Sequence, residues 1–193
     1  MTRRWTLRLA AGLAAGAVVL SGCSERQEAS DTLPGADASP SASEPELPPL
    51  GPPDLPMPAE ARTQDAAGAE AFVRYYMDAY NYALRTLNPT ALSDLSSNCE
   101  TCHLLIEQVR DVNARGQRYE GGDVRISEIT TPVINDTEAQ FALSLIQSPL
   151  SVTADGDDID GRSYPERSSP ASGGLLRWDA SRATWLMTQL SVQ

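Results

Sequence analysis

An α+β domain over residues 67–193 is what this sequence predicts, on three observations. Apolar residues recur every three or four positions between residues 68 and 114, and every second position from Val124 onward. The 43 residues from Ser24 to Ala66 hold nine Pro and nine acidic residues with no aromatic residue and no apolar period, so no core is expected from them. Helices in one block followed by strands in another, rather than alternating, predict helices packed on a mostly antiparallel sheet.

Phe72, Tyr76, Tyr80, Ala83 and Leu87 repeat at helical spacing, with Val73, Met77 and Leu84 widening the stripe, and predict a long helix from Gly68 to Leu87 whose apolar face must be covered. Asn88-Pro89 supplies a cap and a first-turn proline for a short helix through Leu95. A third helix is expected from Glu100 to Ala114, with Leu105, Val109 and Val112 on one face and Gly116 as its stop. After Gly121-Gly122, Val124 and Ile126, and then Ala139, Phe141, Leu143 and Leu145, alternate with polar residues as half-buried strands do. Further strands are expected at Leu150–Ala154, Gly174–Trp178 and Thr184–Val192, the last two joined through Asp179-Ala180-Ser181-Arg182. Ser163–Gly173, rich in Ser and Pro, is expected as a loop at the rim of any pocket. The stripe of Phe72, Tyr76, Tyr80 and Leu87 against the Phe141 and Trp185 strands should form most of the core.

Residues 1–22 read as a basic head with Arg3, Arg4 and Arg8, an uncharged run from Leu9 to Leu20, and Ser21-Gly22. That order is an export signal. The 12-residue apolar run falls short of the about 20 residues that a membrane-spanning helix needs. Thr2-Arg3-Arg4-Trp5-Thr6-Leu7 approaches a twin-arginine signal, but Thr6 stands where that signal prefers a bulky apolar residue, so general secretion is the expected route. Leu20-Ser21-Gly22-Cys23 resembles the lipobox of bacterial lipoproteins. The resemblance implies cleavage before Cys23, a diacylglycerol thioether on its sulfur and an acyl chain such as palmitate on its amino group. Two or more chains suffice for stable anchoring, so the expected location is the extracytoplasmic side of the cell membrane. Residues 23–66 are then the lipidated Cys23 and a disordered Pro-rich, acidic tether, reaching from about 35 Å as a coil to about 130 Å fully extended. A Pro-x-x-Pro segment at Pro49–Pro52 is also the form that peptide-recognition domains bind.

All 15 basic residues are Arg, against 26 acidic ones, for a formal charge of −11. Without Arg3, Arg4 and Arg8 it falls to −14. Such a surface repels polyanions, so nucleic acid is not an expected partner.

Phe72-Val73-Arg74-Tyr75-Tyr76 with Ala79 and Ala83, the pair Cys99-x-x-Cys102, the Gly116–Gly122 turn and the closing Trp185 strand resemble an uncharacterised family of actinobacterial lipoproteins over about the last 127 residues. Its domain is similar to the nuclear transport factor 2-like cone. The resemblance implies N-terminal helices on a curved, mostly antiparallel sheet, and it implies location and shape without an activity. It also favours a Cys99–Cys102 disulfide, which suits an oxidising compartment.

Cys99-Glu100-Thr101-Cys102-His103 carries three further readings. It has the C-x-x-C-H spacing of covalent haem attachment, with Met77 or Met187 as the available distal ligand, although a mixed sheet follows the motif and cytochrome c domains are helical. As a thiol oxidoreductase the pair follows a helix and loop instead of a strand. As a zinc site, Cys99, Cys102 and His103 lack a fourth ligand. Asp155, Asp157, Asp158 and Asp160 suggest a calcium loop, but an EF-hand frame from Asp155 puts Ile159 and Asp160 where a ligand and a glycine are required. No cofactor or metal is therefore expected. Tyr75, Tyr76, Tyr80 and Tyr82 circle the first helix, where an enzyme on a cone could use a Tyr donor with Asp78 or Asp94 as base. The single His, His103, stands beside Cys102 and makes no credible Ser/His/Asp triad, and there is no Gly-rich phosphate loop. The leading expectation is a non-catalytic binding or scaffolding module at the cell envelope, taking a protein partner or a small apolar ligand. The alternatives are an enzyme on the cone and a haem or thiol redox protein. A filled cone argues against a ligand; an open one holding an acid of raised pKa argues for an enzyme.

Overall fold

Asp65 ends the Pro-rich stretch and starts the first helix: its Oδ1 accepts the Gly68 amide at 2.7 Å, satisfying one of the free N–H groups of the first turn. In the computed structural model, which describes residues 47–193, α1 spans Ala66–Thr86, α2 Thr90–Asp94 and α3 Glu100–Ala114. The expected signal, the expected lipidation site Cys23 and the expected tether up to residue 46 lie outside the described residues. Leu87 closes α1 in the left-handed region at φ 57°, and Pro89, which cannot continue a helix, follows after Asn88. Among the described residues no helix is long and apolar enough to cross a membrane.

Eight strands follow: β1 Arg118–Gly121, β2 Val124–Ile129, β3 Val133–Asn135, β4 Glu138–Gln147, β5 Leu150–Ala154, β6 Asp157–Tyr164, β7 Arg167–Asp179 and β8 Thr184–Ser191. The eight strands pair antiparallel throughout, in a sheet ordered β2-β4-β7-β8 with β3 also on β4, and a smaller sheet ordered β1-β5-β6. The two sheets are one ribbon bent once. The last pair of the large sheet, Gln147 opposite Arg167, is followed by Leu150 opposite Tyr164 in the small one. Between them lie Ser148-Pro149 and Pro165-Glu166, where proline interrupts the ladder. The third ribbon strand turns at the same level through Gly121 and Gly122, at φ 73° and 81°. A Cβ on Gly121 would run into the Pro149 carbonyl, so the bend needs glycine there. The sheet is thereby curved around α1 and α3, giving the α+β arrangement of helices on curved antiparallel strands that the sequence predicts.

The core lies between α1 and the large sheet. Phe72, Tyr76, Leu92, Leu95, Leu176, Trp185 and Met187 are all fully buried, and the Trp178 and Trp185 rings meet edge-on at 5.2 Å. Beside them, the α2–α3 connection pairs with β8: the Met187 amide donates to Leu95 O at 2.9 Å and the Ser97 amide to Met187 O at 2.9 Å. These bonds occupy part of the outer side of β8, which would otherwise be an open edge.

Three expectations are corrected. Ser163–Gly173 is not a loop, because all but Pro165-Glu166 belong to β6 and β7. Pro170 is accommodated where the β4–β7 register shifts between Leu143 and Leu145, a bulge that needs no amide from it. The acidic residues from Asp155 to Asp160, expected as a solvated loop between strands, form a tight hairpin instead: Asp155 and Gly156 both have positive φ, 51° and 93°, and Asp157, Asp158 and Asp160 ride on β6. The segment before Ala66, expected as part of a disordered tether, is instead packed on the domain from Leu50 onward. Leu50 and Leu55 pack on the core, Met57 and Ala61 are buried, and Ala59–Arg62 form a 3-10 turn. Tyr75 Oη donates to Leu55 O at 2.8 Å and Trp185 Nε1 to Thr63 O at 3.0 Å. A few apolar residues among many prolines suffice to dock this segment, because proline has already restricted the unfolded chain.

Candidate functional site

Bending the ribbon around α1 and α3 leaves a cavity of about 510 Å³ between them. Met77, Leu105, Val124, Leu145, Val152 and Leu190 supply apolar wall, drawn from two helices and four strands. Polar side chains also line it: Tyr80 on α1, Gln108 and Asp111 on α3, Tyr119, Gln147, Arg162, Tyr164 and Arg167 on the ribbon. Its volume is in the range of about 300–1,000 Å³ typical of small-molecule sites.

Burial pushes the Tyr80 hydroxyl up to about 12, against a smaller opposing effect from a hydrogen bond with Gln147. Tyr119 is also raised by burial, with the nearby Arg162 guanidinium acting in the other direction. Both rings therefore present neutral hydroxyls at neutral pH, and Tyr119 Oη donates to Gln108 O at 3.3 Å. Arg162 Nη1 donates to Gln117 Oε1 at 2.8 Å. The one carboxylate in the lining, Asp111, is exposed and paired with Arg115 at 2.9 Å along α3.

Of the four helix tyrosines, the structure brings Tyr76 and Tyr80 to the cavity. The Tyr76 hydroxyl is turned to Ser96 Oγ at 2.8 Å, and that of Tyr75 to the N-terminal segment. Neither candidate base lines the cavity. Asp78 is exposed on α1, its carboxyl raised by partial burial against the pull of Arg85, and Asp94 is exposed at the end of α2. Sequence reasoning missed Arg162 and Arg167, although two arginines flanking Pro165 in so acidic a chain were the available signal. The expected pocket rim at Ser163–Gly173 is met by position: Tyr164, Arg167 and Ser169 line the cavity, from strands.

Cys99 and Cys102 form a disulfide that closes the first turn of α3, and Cys99 Sγ accepts the Cys102 amide at 3.2 Å as the helix cap. Cys102 is fully buried and His103 exposed. A disulfide leaves neither sulfur free for a haem thioether or a zinc thiolate, which removes both readings from the oxidised chain. Among the described residues, no group of three or more His, Cys, Asp or Glu side chains is placed to hold a metal.

A family model described as a family of unknown function, DUF6318, matches residues 48–191. The chain belongs to this family. The DUF6318 match begins at residue 48, two residues before Leu50, the first residue packed on the core. No curated protein matches the chain. Among solved structures it is similar to the intermembrane space region of the chloroplast protein ARC6, at 15% identity and a TM-score of 0.45, over 67% of this chain and 97% of that one. It is also similar to an uncharacterized protein with a cystatin-like fold from Caulobacter vibrioides, at 15% identity and a TM-score of 0.38, over 63% and 87% of the two chains.

Proposed function

We propose that this DUF6318 protein is a cell-envelope lipoprotein, anchored on the extracytoplasmic side of the membrane through Cys23, whose domain is a non-catalytic module binding a small apolar ligand in the cavity. The lipobox after a basic head and short apolar run supports the anchor, as does the resemblance to actinobacterial lipoproteins. The observation that carries the binding reading is the open cavity with mixed apolar and aromatic walls, whose one carboxylate is already ion-paired on the exposed side of α3. An enzyme would need an acid or base directed at a substrate, and Asp78 and Asp94 stand elsewhere. With the domain starting near residue 48, the spacer is about 24 residues and reaches between about 27 Å as a coil and about 75 Å extended.

Two measurements test this. Intact mass after membrane extraction should show loss of residues 1–22 and a diacylglycerol adduct, and Cys23→Ser should release the protein. Unchanged processing and membrane retention in that variant refute the anchor. Residues 23–193 carrying Cys23→Ser, purified without detergent, should take up a neutral environment-sensitive probe such as dansyl-undecanol, and Leu105→Trp, which fills the cavity, should abolish uptake. Failure of the parent protein to take up this probe and its acid analogue, dansyl-undecanoic acid, refutes the binding reading.

A further inference from the structure

We propose that the cavity is selective for an anionic amphiphile, a molecule with an apolar body and a carboxylate or phosphate head, and that Arg162 and Arg167 hold the head. This rests on the cavity being a ligand site, and it adds the chemical class of the ligand. Arg162 and Tyr164 are two residues apart on β6 and both line the cavity; Arg167 joins them from β7 across the Pro165-Glu166 bend. The bend that shapes the cavity thus also places both arginines on its lining.

The charge balance singles these residues out. In a chain of formal charge −11, the cavity has two arginines against one carboxylate, and that carboxylate already belongs to Arg115. The four ion pairs among the described residues engage Arg74, Arg85, Arg110 and Arg115, and neither cavity arginine. Arg162 is half-buried and spends one of its five N–H donors on Gln117. Arg167 is exposed, as a residue at a cavity mouth must be to meet an incoming anion. Guanidinium groups match the planar or tetrahedral oxygens of carboxylate and phosphate in paired hydrogen bonds, and partial removal from water strengthens them. The tyrosine hydroxyls of Tyr80 and Tyr164 add donors, whereas a cationic head would find one carboxylate that is already satisfied. The apolar body of the ligand would lie against Met77, Leu105, Leu145, Val152 and Leu190.

The test compares two probes that differ only in the head, dansyl-undecanoic acid and dansyl-undecanol, on residues 23–193 carrying Cys23→Ser. The acid should bind roughly tenfold or more tightly, and the preference should shrink as salt is raised. Arg167→Gln should remove much of the preference and Arg162→Gln with Arg167→Gln nearly all of it, the loss falling on acid binding far more than on alcohol binding. Acetate and inorganic phosphate at the probe's concentration should displace neither. Equal binding of acid and alcohol by the parent protein, an unchanged preference in the double variant, or displacement by the small anions alone each overturns the proposal. Failure of both probes to bind instead refutes the cavity as a ligand site. Arg167→Gln, on an exposed side chain, keeps the test open if the double variant does not fold.

Discussion

Replacing Arg62 tests whether the segment before α1 is part of the domain. Its guanidinium donates to Arg182 O at 2.7 Å, to Ala183 O at 3.3 Å and to Pro48 O at 2.8 Å, so one side chain ties the β7–β8 turn to the start of the folded chain. Ala183 sits at φ 45°, a conformation that costs energy for a residue with a Cβ and is held by its surroundings. Hydrogen bonds from a charged donor contribute about 1.5–3 kcal/mol each when shielded from water, and the exposed bond to Pro48 much less. The bond to Ala183 is long, so Arg62→Met should destabilise the domain by roughly 3 kcal/mol. For a domain of this size that lowers Tm by about 6–12 °C. Arg62→Lys, which offers a point charge instead of a fork, should lose about half as much. Limited trypsin digestion gives an independent readout: cleavage after Arg62 should require unfolding, while Arg26, in a stretch whose composition forms no core, should be cut at once. A Tm change under about 2 °C for Arg62→Met, or cleavage at Arg62 as fast as at Arg26, would refute the docked segment.

Three further outcomes are expected. Tyr76 and Tyr80 are held at about 12 by burial, against 10.0 in the unfolded chain, so the folded state keeps these protons longer; the stability they contribute is complete below pH 10 and is lost between 10 and 12, by about 3 kcal/mol each, measurable as urea midpoints that fall across that window and fall less in Tyr76→Phe. Cys99→Ala with Cys102→Ala should cost about 2 kcal/mol, because so small a loop removes little unfolded-state entropy, and amide exchange should rise in the first turn of α3 while β4 and β7 stay protected. Gly121→Ala should cost clearly more than Gly116→Ala in urea denaturation: both have positive φ, but a Cβ at Gly121 meets the Pro149 carbonyl and one at Gly116 meets nothing within 4 Å, so equal effects would show that the bend does not depend on that contact.

The three helices were legible in the sequence because their signals are local. Phe72, Tyr76 and Ala83 report a helix by spacing alone, Cys99 and Gly116 bracket α3, and the alternation from Ala139 to Leu145 reports a strand whichever partner it finds. The cysteine pair was legible for the same reason, its two members being three residues apart. What the sequence did not disclose depends on distant partners. Leu55 and Met57 look like part of a tether until Tyr75 and Thr184 are placed beside them, and β6 looks like an acidic loop until β5 pairs with it. Arg162 and Arg167 show no periodicity that links them to Tyr80 or Leu105. They share a cavity because prolines and glycines on three strands bend one ribbon at one level. Local periodicity determines which residues can be helix or strand, whereas a cavity is the space left between elements, and only their packing decides which side chains face it.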